Sequence, residues 1–179
     1  MPIKTMLRPR KAWWTLLLLL LFCFLLDGSM ELLLFYALGG AQYEITPAIF
    51  LLALFFLAAD RQHLGQLYLL ALFFGFLYDI YYSRLFGLCL FLFPFLVFII
   101  QNLFKPLRFN FFNRWFLALV LYGLYSSLVF LIYNLLGLAG QSGALFFWQN
   151  LLPSLIFNML VAFVLNGFIR RFNNWLAGA

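Results

Sequence analysis

Charge is the scarcest property of this chain. Of 179 residues, 11 are Lys or Arg, 5 are Asp or Glu and one is His, so charged residues make up 9%. Soluble domains carry roughly 25%, and a chain this poor in charge could not cover its apolar surface in water, which excludes an ordinary soluble enzyme. Cysteine is nearly absent as well. Cys23 and Cys89 both fall inside apolar runs, with no C-x-x-C and no metal-ligand spacing, so a disulfide scaffold is excluded. They are expected to be small core or lipid-facing residues. Nucleophile triads, phosphate loops, nucleotide motifs and converging acid/base pairs are all missing. The expectation is a non-enzymatic protein with no cofactor and no metal.

What is present is apolar residues: 67% of the chain is AVILMFWYC, about 120 residues, and a helical crossing uses ~20. Six crossings consume nearly all of them. The expected fold is an all-α polytopic integral membrane protein with six transmembrane helices. Charges and turn residues divide the chain into runs at 13–36, 46–59, 66–82, 88–100, 115–136 and 150–169. Runs two and four look short, so their helices are expected to extend into the flanking loops. The domain reading is a basic N-terminal tail (1–12), a membrane domain (13–172) and a C-terminal tail (173–179). The N-terminus has the basic start of a signal peptide but no A-x-A site, and is read as leading into a retained first helix.

The basic residues supply a direction. With the N-terminus in the cytoplasm, Lys4, Arg8, Arg10, Lys11, Arg61, Lys105, Arg108, Arg114, Arg170 and Arg171 lie inside, and only Arg84 lies outside. Positive charge is retained on the cytoplasmic side of membranes. Both termini are therefore expected to be cytoplasmic, and the basic face is expected to meet anionic lipids. The aromatic connection 101–114 is read as lying on that lipid surface, not as a nucleic-acid site. Trp13, Trp14, Trp115, Trp148 and Trp175 all fall at expected helix ends, where indole sits best.

Ionisable residues within apolar runs are expensive and mark function by default. Asp27 and Glu31, spaced i,i+4, share one helix face and are expected to form a polar notch at the outer end. Asp79 closes the third run, Arg84 follows it, and Glu44 lies in the first outer loop. The alternatives are a partner- or ligand-binding notch and a purely structural cluster in which Arg84 pairs with Asp79 or Glu31. Gly123 and Ser127 form a small-xxx-small pair suited to a close helix contact. Pro153 is expected to begin the sixth helix, and Asn158 and Asn166 to hydrogen-bond within the bundle. His63 is read as a turn residue.

GFLYDIYYSRLFG (75–87) places Gly75, Asp79 and Gly87 in a pattern that resembles the central motif of the MreD family of rod shape-determining proteins. LLPSLIFNMLVAFVLNGFIRRF (151–172), with Pro153 and Asn158, resembles that family's closing helix, and Thr46-Pro47 resembles its Pro-led second helix. The resemblance implies a bacterial inner-membrane component of the cell-elongation machinery, an elongasome protein acting with MreC, MreB, RodA and a class B penicillin-binding protein in peptidoglycan synthesis. Gly75, Asp79, Arg84, Gly87, Pro153 and Asn158 would be its partner or structural motif. The implied fold is similar to the S component of energy-coupling-factor transporters, which supplies the rival reading: a vitamin-binding S component. Asp27 and Glu31 are not part of the pattern that carries the resemblance.

Overall fold

The computed structural model describes residues 9–37, 43–59, 64–83, 85–103, 110–138 and 140–178. Arg84 and His63 lie outside the described residues. The elements are α1 (Pro9–Ala37), α2 (Ile49–Ala59), α3 (Leu64–Tyr81), α4 (Leu88–Leu103), α5 (Phe111–Leu135), α6 (Gly143–Leu145), a π-helical turn (Phe146–Leu151) and α7 (Leu152–Gly178). All of these elements are helical. Trp13–Ala37, Phe111–Leu135 and Gly143–Phe172 are long and apolar enough to cross a membrane, and three shorter apolar helices accompany them.

The second apolar run forms the centre of the bundle. All eleven residues of α2, IFLLALFFLAA, are buried. A helix apolar on every side has no face for water, and α2 packs against α1, α3, α4, α5 and α7. At ~1.5 Å per residue it is only ~16 Å long. The helix does not extend backwards as expected: residues 43–48 are non-helical, and Thr46-Pro47 precedes α2 instead of opening it. The fourth run does lengthen, to Leu103, and continues unbroken through Pro94.

Pro153 does not begin the last helix. Helical backbone starts at Gly143 and runs through the π-helical turn into α7, with Pro153 as its second residue. Part of the expected loop 137–149 is thus helical. Proline has no N–H to give to the carbonyl four residues back. Here that carbonyl belongs to Gln149, and it accepts the Glu44 N–H at 2.9 Å.

The third and fourth helices make the most extensive contact in the bundle. Gly75 permits it: a Cβ there would lie 2.6 Å from the Cys89 carbonyl oxygen and 2.8 Å from the Leu90 Cα. The reversal between them passes through Gly87 at φ 97°, a region that side chains disfavour. The Gly123/Ser127 pair meets no such neighbour. Nothing lies within 4 Å of a Cβ at Gly123 and Ser127 is exposed, so among the described residues no helix makes the expected close contact at Gly123.

Candidate functional site

A helix begins with backbone N–H groups that have no partner inside it. In α2 and α4 these are met by carboxylates from the preceding long helix. Asp27 of α1 accepts the Ile49 N–H at 2.6 Å on Oδ1 and the Phe50 N–H at 3.1 Å on Oδ2. The Tyr78 hydroxyl of α3 also donates to Oδ2. Asp79 of α3 accepts the Cys89 N–H at 2.8 Å on Oδ1, and those of Gly87 and Leu90 at 2.9 and 3.0 Å on Oδ2. Both side chains are buried, each 4% exposed. A negative group at the positive end of a helix is favourable, and every oxygen of the two carboxylates accepts at least one hydrogen bond.

The segment before α2 hangs from α7. The Thr46 N–H donates to Ser154 Oγ at 2.9 Å, and the Ser154 hydroxyl donates to the Glu44 carbonyl at 3.3 Å. Asn158 is fully buried. Its Oδ1 accepts the Ala48 N–H at 2.9 Å, while its Nδ2 donates to the carbonyls of Thr46 and Ser154, each at 2.9 Å. The Tyr122 hydroxyl of α5 donates to the Thr46 carbonyl at 3.2 Å. Residues 44, 46 and 48 thus bond to positions 149, 154 and 158. A two-residue step of extended chain is ~6.6 Å, and the five- and four-residue steps along the helix rise ~7.5 and ~6 Å, so the helix offers partners at nearly the repeat a strand needs. Pro47, between two bonded residues, has no N–H to satisfy.

Above these supports lies a cavity of about 600 Å3. Its lining includes Asp27, Glu31, Glu44, Asn150 and the tyrosines 78, 82, 122, 125 and 133. Tyr78 sits at its floor, with ring contacts to Phe24, Phe50, Tyr82 and Phe93 at 5.0–5.3 Å. Asp27 and Glu31 are therefore in one cavity, at the end of the bundle where α2 and α4 begin. Asp79, Gly75, Gly87, Pro153 and Asn158 are not among the described residues that line it. Among the described residues no group of three or more His, Cys, Asp or Glu is placed to hold a metal ion.

Arg114 serves the other end of α2. It is buried, its Nη2 donates to the Phe56 carbonyl at 3.1 Å, and its guanidinium lies 5.7 Å from the Phe56 ring centroid. The last carbonyls of a helix favour a cation. Sequence reasoning counted Arg114 only as topology. It also passed over the tyrosines and Ser154, and named Thr46 only as the residue before Pro47. The Ser154/Asn158 spacing of four was a usable signal for a polar face on α7. The five tyrosines are spread over 56 positions and carried none.

Against known proteins, a family model described as rod shape-determining protein MreD matches residues 10–175. Searches of the curated proteins and of the solved structures found no match. The match runs from the start of α1 almost to the end of α7 and takes in both capping carboxylates, the extended segment and its supports on α7; this chain belongs to the MreD family, whose members are membrane proteins with a role in determining rod shape.

Proposed function

We propose that this chain is a non-enzymatic, multi-pass component of the bacterial inner membrane that binds MreC. In this reading it helps the elongation complex, with MreB, RodA and a class B penicillin-binding protein, to control lateral peptidoglycan synthesis. The observation that carries the reading is the family match over residues 10–175. Six crossings with cytoplasmic termini fit the ten-to-one distribution of basic residues in the sequence. The short central helix is compatible with a crossing: α2 at ~16 Å and six extended residues at up to ~20 Å together exceed a hydrocarbon core of ~30 Å. The cavity then opens outward and Arg114 lies near the inner surface.

Gentle extraction from the native membrane, with identification of co-purifying proteins, tests this. MreC and wall synthases are expected, and a deletion strain carrying the gene regains rod shape. One observation favours a second reading, the vitamin-binding S component: the cavity of about 600 Å3 is of ligand size. Recovery of a vitamin and transporter ATPases in place of MreC would establish that reading. Outside labelling of a cysteine placed at Gln62 or Asn110 would overturn the orientation, whereas labelling at Gln42 and Ser142 is expected.

A further inference from the structure

Among the described residues that line the cavity, the charges do not cancel. It is lined by three carboxylates, and among the described lining residues there is no Lys, Arg or His. Asp27 is committed to the start of α2 and to Tyr78. Among the described residues, Glu31 and Glu44 are not so committed. They lie within electrostatic reach of each other, and Glu44 has one long neutral contact, from Asn150 Nδ2 at 3.4 Å. Two neighbouring carboxylates over an aromatic floor repel one another and attract any cation that enters. The same cavity is walled by Tyr82, Tyr125 and Tyr133, and on one side by Phe130 stacked on Phe146 at 4.2 Å. Aromatic rings beside carboxylates suit an organic ammonium group better than a bare metal ion, because the rings replace part of its hydration. The carboxylates exclude nucleotides and anionic lipid headgroups by repulsion.

We propose that the cavity is a binding site for an ammonium-bearing ligand, with the cationic nitrogen between Glu31 and Glu44 and its carbon substituents against the tyrosines. A space of about 600 Å3 accepts either a small free amine or the headgroup of a zwitterionic aminophospholipid. Both sources present the same chemistry. The proposal needs no protein partner, and stands or falls separately from MreC binding.

The test uses the full-length protein in two arms. In the first, labelled choline is bound to protein in nanodiscs of phosphatidylglycerol, with 3,3-dimethylbutanol, its uncharged carbon isostere, as competitor. In the second, native mass spectrometry compares retained phosphatidylethanolamine and phosphatidylglycerol after extraction from a mixed membrane. Saturable choline binding, with the isostere at least about tenfold weaker, supports a free amine as ligand. Selective retention of phosphatidylethanolamine without choline binding supports the lipid. In either case Glu31→Gln and Glu44→Gln each weaken binding about tenfold, while Glu44→Asp, which keeps the charge, loses less. Unchanged elution and thermal midpoint show that each variant is folded. Neither ligand bound, equal binding of the isostere, or folded Gln variants that bind as before would overturn the proposal. Loss of ammonium binding with MreC still co-purifying separates this site from the partner reading.

Discussion

Two helices of this protein begin in the same way and differ in what surrounds the beginning. Asp79 reaches the start of α4 from 8 to 11 residues away, across one tight reversal. Asp27 reaches the start of α2 from 22 and 23 residues away. That second start is shared with Tyr78 from α3 and Asn158 from α7. The α4 start is a local device, complete within one hairpin. The α2 start is an assembly point, where α1, α3, α5 and α7 each contribute a polar group. The same carboxylate chemistry therefore ties one pair of helices together at Asp79 and the whole bundle at Asp27, directly beneath the cavity.

The comparison predicts unequal consequences. Asp27→Leu strands two buried N–H groups and a tyrosine hydroxyl. Each stranded donor costs about 1–3 kcal/mol, so the expected loss for three is roughly 3–9 kcal/mol, with collapse of the α2 start and of the cavity floor. Unfolding in mixed detergent with increasing denaturing detergent measures it. Asp79→Leu also strands three donors, but those of Gly87 and Leu90 are only partly buried and can recover water, so about 2–3 kcal/mol is expected. Equal losses for the two variants would remove the distinction between local and global starts.

Asp79→Asn sharpens the local case. It keeps one acceptor and turns an amide N–H toward backbone donors, so an intermediate loss is expected, in stability and in MreC co-purification at matched expression. Full rod-shape complementation by Asp79→Leu would show that the position carries no functional weight. Gly75→Ala should come next in size. Its methyl would press on the backbone at Cys89, the same residue whose N–H meets Asp79. Overpacking of this kind costs about 1–3 kcal/mol. Because both changes disturb one contact, the double variant Gly75→Ala/Asp79→Leu should lose less than the sum of the two.

The contrast also explains what could be read from the sequence. Gly75, Asp79 and Gly87 fall within 13 residues, so their pattern is visible along the chain, and the family match over 10–175 agrees with the resemblance they suggested. Asp27 and Glu31 were visible as a shared helix face because charge is rare in such runs. Their purpose was not visible, since the groups that Asp27 meets lie up to 51 residues away. The central place of α2 was hidden for a related reason: every run is apolar, and burial in protein selects the same residues as exposure to lipid. Pro153 looked like a helix start because proline suits that position. The π-helical turn before it and the Glu44 contact to Gln149 depend on a segment more than 100 residues earlier.

The smallest effects should fall on two other glycines, with opposite signs. Gly87 holds φ 97° in the reversal that brings the α4 start to Asp79, so Gly87→Ala pays a backbone strain of about 1–2 kcal/mol. The site has room for the methyl, since the nearest atom beyond its neighbours is 3.8 Å away, and the loss should therefore stay within that strain. Gly123 lies mid-helix in α5 with nothing within 4 Å of a Cβ. Replacing a helical glycine by alanine restricts the unfolded chain and stabilises by up to ~1 kcal/mol. Thermal unfolding of the purified chain reads both. Co-purification from the membrane reads something further at Gly123, because with Ser127 it leaves a small-residue stripe uncovered by this chain's other helices. If Gly123→Ala is neutral or stabilising for the isolated protein but reduces recovery of MreC, that stripe faces another helix in the complex. If both readouts are unaffected or improved, the stripe faces lipid, and Gly123 differs in kind from Gly75 and Gly87, which frame the Asp79 start.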